Sequence, residues 1–190
     1  NKHVDDHAMA FHPTDKNFML VGSDGGVYET RDDMKKWRFQ GNLPIAQFYK
    51  IAVDDSKPFY YVYGGTQDNS SQGGPSRTTK EHGIKNNDWF LILWGDGHQP
   101  ATEPGNPDIV YGQWQQGNLA RYHRKTGEIV FIQPQAKPDE PAERYNWDAP
   151  ILVSNHDPKR LYHASQRLWR SDDRGNSWRA ISGDLTKDQN

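Results

Sequence analysis

The sequence predicts an all-β fold, a segment of a β-propeller built from about four four-stranded antiparallel blades, and three observations carry that prediction. The first is a recurring pattern: an apolar strand runs into a Pro- or Asp-bearing turn, and a second strand ends on a small residue. It occurs at Phe11-His12-Pro13 with Leu20-Val21-Gly22, at Val53-Asp54-Asp55 with Val62-Tyr63-Gly64, and at Thr102-Glu103-Pro104 with Val110-Tyr111-Gly112. The fourth copy joins Ser154-Asn155-His156-Asp157-Pro158 to Leu161-Tyr162-His163-Ala164, so the small residue returns after 42, 48 and 52 positions. The second is a pair of matching turn motifs, Thr30-x-Asp32-x-Met34-x-x-Trp37 and Ser171-x-Asp173-x-Gly175-x-x-Trp178, whose tryptophans lie 141 residues apart, three intervals of 47. The third is composition. Only 33% of the residues are hydrophobic, yet 7 Trp, 9 Tyr and 7 Phe alternate with 17 Gly and 12 Pro, which describes many short strands rather than one large core.

Blade one, about 1–42, reads as His7–His12, Phe18–Gly22, Val27–Thr30 and Trp37–Gln40. Blade two, 43–94, has strands around Val53 and Val62, then a long Ser/Gly/Pro-rich excursion from Asn69 to Asp88 before Trp89–Trp94. Blade three, 95–144, reads as a first strand near Thr102, then Ile109–Gly112, Leu119–His123 and Glu128–Gln133, with a hairpin at Lys125-Thr126-Gly127. Blade four, 145–190, reads as Ile151–Ser154, Leu161–Ala164, Leu168–Ser171 and Trp178–Ile181. Together, 1–190 form one partial propeller domain, expected to belong to a larger ring in a longer chain.

In the two turn motifs, the Asp carboxylate is placed to accept backbone N–H bonds, glycine can take the left-handed conformation, and tryptophan can pack beneath the hairpin. Ser171, Asp173, Gly175 and Trp178, with Thr30, Asp32 and Trp37, are therefore structural residues. This pattern is the Asp box, and it resembles the boxes of Asp-box (BNR-type) propellers. That group includes the sortilin ectodomain, sialidases and xyloglucanase-type glycoside hydrolases. Further segments are similar to large bacterial sortilin-like repeat proteins: Val21–Tyr28, Tyr63–Asn69, Gln72–Arg77, Gly95-Asp96-Gly97 and Ser165–Gly175. The resemblance implies the fold and export to the cell surface, the periplasm or the medium. It does not by itself imply a reaction, because a propeller is a scaffold on which sites vary.

A formal net charge of -2 gives no basic footprint for nucleic acid, and no apolar run approaches the roughly 20 residues of a membrane-spanning helix. Cysteine is absent, which excludes a disulfide framework and thiolate metal sites. His3, Asp5, Asp6 and His7 are metal-capable types at a spacing that matches no ligand motif, so no metal is expected. Gly22–Gly26 joins two strands and lacks the helix that a phosphate cradle uses, and no cofactor is expected.

If the first strand of each blade is innermost, one face collects the loops entering each blade and those between its second and third strands. That rim gathers Trp94, Trp114 and Trp147 with Gln67, Asn69, His98 and Arg167 as candidate ligand-binding residues. Indole faces beside amides and carboxylates suit sugars, whose C–H faces stack while hydroxyls hydrogen-bond. The other reading of these tryptophans is packing between blades. Asp96, Asp68 and Asp148 are the candidate catalytic carboxylates, since glycosidases use a pair of them; equally, Asp in Gly-Asp-Gly or Gln-Asp-Asn can simply cap its own turn. One rim arginine, Arg167, is too few for sialidase chemistry. Two functions stand: an exported propeller that recognises or hydrolyses extracellular glycan, and a non-enzymatic, sortilin-like scaffold for a protein or peptide ligand. Either would have further blades of its own parent chain as neighbours.

Overall fold

The computed structural model describes residues 2–43 and 45–187. Its strands form four antiparallel four-stranded sheets, each built from consecutive strands in sequence order. The fold is all-β and of propeller type. It divides into two compact units, Asn1–Gln47 and Phe48–Asn190.

The first unit holds one sheet, β1 (Asp6–Phe11), β2 (Met19–Ser23), β3 (Gly26–Thr30) and β4 (Arg38–Phe39). Met19 and Val21 turn inward while Leu20 between them is exposed, the two-residue alternation of a half-buried strand. The second unit holds three sheets. They are β5 (Lys50–Val53), β6 (Tyr61–Gly65), β7 (Ser71–Pro75) and β8 (Phe90–Leu93); β9 (Ala101–Glu103), β10 (Asn106–Trp114), β11 (Asn118–His123) and β12 (Glu128–Phe131); and β13 (Ile151–Val153), β14 (Leu161–Ala164), β15 (Leu168–Ser171) and β16 (Arg179–Ala180).

Within this second unit β10 explains how sheets stack. Val110 joins Tyr63, Ile92, Leu93 and Ala120 in a cluster against the preceding sheet. Its neighbour Tyr111 joins Ile109, Leu119, Ile132, Ile151 and Leu161 in a cluster against the following one. Successive side chains of a strand point to opposite faces, so one strand buried on both sides supplies two cores. The first strands β5, β9 and β13 lie side by side, as the innermost strands of neighbouring blades do.

The third strand of the second sheet, β7, falls inside the segment that the sequence presents as a long excursion. Its Gly73-Gly74 pair breaks the expected strand pattern for a packing reason. A Cβ on Gly73 would stand 2.7 Å from the Tyr63 ring, and one on Gly74 2.5 Å from the Trp89 indole. Large aromatic rings on both faces leave room only for bare backbone. The true excursion is the shorter stretch 76–89, which includes a 3-10 turn at Asn86–Asp88.

Both hairpins carrying the Ser/Thr-x-Asp pattern are knotted by the same bonds. After β15, the Ser171 hydroxyl donates to Asp173 Oδ1 (2.8 Å) and accepts the Gly175 N–H (2.8 Å), while Asp173 accepts the Ser177 N–H (2.8 Å) and hydroxyl (2.6 Å). After β3, Thr30 donates to Asp32 (3.0 Å) and accepts the Met34 N–H (3.1 Å), and Asp32 accepts the Lys36 N–H (2.9 Å). In each, two adjacent residues take positive φ: Arg174 and Gly175 at 62° and 86°, Asp33 and Met34 at 59° and 64°. Trp178 donates its indole N–H to the Ile132 carbonyl at 2.6 Å, tying its hairpin to the neighbouring sheet, and Trp37 lies under the Lys2 ammonium at 5.7 Å.

Candidate functional site

In the second unit, antiparallel order sends the entry loops and the β6–β7, β10–β11 and β14–β15 loops to one face. Hydrogen bonds between those loops hold the face together. The Gly97 N–H donates to the Thr66 carbonyl (3.0 Å), the Ser70 N–H to Gly95 (3.0 Å), and the Gln116 N–H to Trp147 (3.1 Å). The opposite face carries its own bonds between sheets, from Arg124 to Asp54 (3.2 Å) and from Arg174 to Glu103 (2.7 Å). The hairpin that ends in Trp178 belongs to that opposite side.

Asp96 is the centre of the first face. It sits between Gly95, at φ 106°, and Gly97, where a Cβ would meet the Ser70 carbonyl at 2.5 Å. One carboxylate oxygen accepts the Asp68 N–H at 2.7 Å; the other accepts the Gln115 amide at 2.5 Å, and Gln115 Oε1 in return accepts the Asp96 N–H at 3.2 Å. Asp96 thus fastens the Gln67-Asp68-Asn69 turn to the loop that enters the next sheet. Asp68 takes a φ of 62° in that turn. Asn69 donates its side-chain amide to the Gln67 carbonyl (3.1 Å) and accepts Gln72 on its own carbonyl (3.1 Å), while Gln67 is exposed.

Asp148 lies elsewhere on this face, where its Oδ2 accepts from Lys50 Nζ at 2.8 Å. His98 is completely buried and within reach of the charge of both carboxylates. The Tyr49 ring stacks on it at 5.3 Å and the Trp147 indole meets it edge-on at 5.8 Å. Burial holds the imidazole pKa below its ordinary value; Asp148 and Asp96 oppose that shift and Lys50 adds to it.

The three indoles differ in what they present. Trp94, just past β8, is 76% exposed and Trp147 is 48% exposed. Trp114 is half-buried, packed edge-on against Phe131 at 5.5 Å and lying 3.2 Å from where a Gly95 Cβ would stand. Arg167 is engaged. It pairs with Glu140 at 3.0 Å and with Glu143, and its guanidinium lies 4.9 Å over the Trp169 ring. Glu143 is itself almost fully buried, and although burial pushes its pKa up, bonds from Arg167, Ser165 and Trp169 together hold it below the usual range.

Sequence reasoning missed Tyr49, Lys50, Gln113 and Glu143. Gln113 had a usable signal, since it stands two positions after the buried Tyr111 on one strand and so shares its inward face. Tyr49 and Glu143 sit in irregular segments, where no periodicity marks direction, and Lys50 opens the four-residue strand β5, too short a run to mark its face. Beside the 134–145 segment a polar cleft of about 630 Å³ is lined by Gln116, Gln133, Gln135, Lys137, Glu140 and Tyr145, among others.

No family model matches the chain, and no curated protein matches it. Among solved structures it is similar to an ancestral GH74 enzyme, with a TM-score of 0.50 and 16% identity, over 94% of this chain and 24% of that one. It is similar to the extracellular domain of a one-component system from Bacteroides thetaiotaomicron, with a TM-score of 0.52 and 14% identity, over 97% and 22% of the two chains. An auxiliary nutrient binding protein from the same organism gives 0.50 and 13%, over 95% and 42%. The chain therefore spans less than half the length of each. At such identities the likeness is one of fold.

Proposed function

We propose that the face centred on Asp96, His98 and Trp147 recognises glycan, in an exported propeller whose knotted hairpins are Asp boxes of the sortilin-like kind. The observation that carries this reading is the exposure of Trp94 and Trp147 beside a rim of amides and carboxylates on bonded loops. Trp94 gives most of its indole to water and Trp147 about half, and a flat apolar face open to solvent suits the C–H face of a sugar. Fold likeness to a GH74 enzyme and to a nutrient binding protein supports the same ligand class. Likeness to an extracellular domain supports a secreted, periplasmic or cell-surface location.

Recognition fits this face better than hydrolysis. Both oxygens of Asp96 are committed to loop bonds, and Asp148 is paired with Lys50. Within the site we assign Trp94 and Trp147 to stacking, Gln67, Asn69 and Asp148 to hydroxyl contacts, Asp96 and Asp68 to holding the loop, and Trp114 and Arg167 to support. On a glycan array, Trp94→Ala and Trp147→Ala should each weaken binding about tenfold or more with the fold retained. Unchanged binding by both variants would reject this face. A protein retained in pull-downs with no array signal would favour the peptide-binding scaffold instead.

A further inference from the structure

Most of the buried polar atoms of the second unit that find no hydrogen-bond partner gather in one place, Ser76 Oγ, Asp108 Oδ1 and Arg167 Nε being the others among the described residues. Those gathered are Ser71 Oγ, both ring nitrogens of His98, both terminal atoms of the Gln113 amide and Asp148 Oδ1. These residues adjoin one another through the backbone. Ser71 Oγ lies 2.6 Å from the Cβ position of Gly97, and the His98 N–H donates to the Gln113 carbonyl at 3.3 Å. Asp148 follows Trp147, whose ring touches His98. Ser71, His98 and Gln113 are each at most 1% exposed. Buried groups of this kind are nearly always paired, because leaving water without a new partner is unfavourable. Four neighbouring residues that break the rule together mark groups kept for a partner from outside the chain.

The chemistry of the set defines that partner. An uncharged imidazole offers one donor and one acceptor, the carboxamide offers both, a hydroxyl offers both, and Asp148 Oδ1 accepts. The set has no net charge to give: burial keeps His98 neutral, Lys50 offsets Asp148, and Arg167 is committed to Glu140 and Glu143. Tyr49 and Trp147 add two rings against His98, one stacked on it and one meeting it edge-on. We propose that Ser71, His98, Gln113 and Asp148 form the specificity subsite of this face, which takes one uncharged sugar residue of a glycan when the Tyr49 ring swings aside. The inference rests on the glycan reading above and narrows it to neutral over uronic or sialic acid sugars.

Two variants test it, His98→Phe and Gln113→Leu, each similar in volume and without the orphaned atoms. The probes are a printed array of neutral glucans, mannans, xylans and galactans beside uronate- and sialate-bearing oligosaccharides. The wild type should bind neutral probes in preference, and each variant should lose about tenfold or more while its melting temperature stays level or rises. A melting temperature that falls in both variants would show that these groups serve the fold and would overturn the proposal. So would a preference for acidic probes. If Trp94→Ala and Trp147→Ala abolish binding but His98→Phe and Gln113→Leu do not, the face stands and the subsite falls. If no probe binds the wild type, the glycan reading falls and the subsite with it.

Discussion

Met34 occupies, in the hairpin after β3, the position that Gly175 holds after β15, and it does so at a φ of 64°. A side chain there costs about 1–2 kcal/mol, offset in part because glycine gains entropy in the unfolded chain. The Met34 side chain is half exposed, so little packing is lost by removing it. Met34→Gly should therefore stabilise the protein by up to about 1 kcal/mol, seen as a higher urea midpoint at unchanged slope. Gly175→Met should do the reverse and more, since a Cβ there meets Ile132 at 2.6 Å. His163 carries a second residue-scale expectation. It is buried between the Pro150 carbonyl (3.0 Å) and the Gly117 carbonyl (2.9 Å). Burial lowers its pKa, against the pull of those two bonds. In the unfolded chain the imidazole takes its proton near pH 6.5, before the folded ring does. Between that value and the lowered folded pKa the unfolded state holds more protons, so stability falls as pH drops and is fully present above about pH 7. Denaturation at pH 7.5 and 6.0 should show the fall, and His163→Gln should lower stability at pH 7.5 while flattening it. An equal fall in that variant would assign the pH dependence elsewhere.

Loops on the candidate face behave as one element because Asp96 binds them from both sides. Asp96→Ala leaves the Asp68 N–H and the Gln115 amide without their acceptor. It should cost about 1.5–3 kcal/mol, the range for hydrogen bonds to a charged group, and release the Asp68 amide to fast hydrogen exchange while amides of β10 stay protected. Continued protection at Asp68 would mean that the turn holds without its staple. The sequence placed Asp96 on a sharp turn between two glycines but could not tell a carboxylate aimed at solvent from one aimed at a neighbouring loop, because the partner lies 28 positions away. The same limit explains Arg167, whose Glu140 and Glu143 sit in an irregular segment with no periodicity to reveal their direction. Strand β7 was hidden for the opposite reason. Its local composition speaks for a loop, and only the rings of Tyr63, Phe90 and Trp89 around Gly73 and Gly74 make it a strand. Period and turn chemistry are local signals and were legible; contacts between blades are not.

At the scale of the whole molecule, the second unit repeats one device where sheet meets sheet. At the end of β5, buried Asp54 accepts the Tyr63 hydroxyl (2.9 Å) from its own sheet and Arg124 (3.2 Å) from the next. At the end of β9, Glu103 accepts Tyr111 (3.5 Å) and both arms of Arg174 (2.7 Å), one blade further on. A carboxylate, a tyrosine and an arginine recur at about one blade's spacing, so the clamp belongs to the repeat rather than to either sheet. The last sheet lacks it, with Ser154 and His163 at the matching strand positions, and Ser154 caps its own turn by accepting the His156 and Asp157 amides (3.2 Å each). Glu103 is 3% exposed and Arg174 its only cation among the described residues. A buried charge stripped of its partner is worth about 3–5 kcal/mol of lost stability, whereas removing both partners together is often close to neutral. Arg174→Met should therefore destabilise strongly, while Arg174→Met with Glu103→Met should recover most of the loss. The difference would appear as a coupling energy of about 3 kcal/mol or more in a double-mutant cycle by urea denaturation. Additive losses would mean that the apolar cluster of Ile109, Tyr111, Leu119, Ile132, Ile151 and Leu161 joins these sheets by itself, and that the charged pair only decorates the seam.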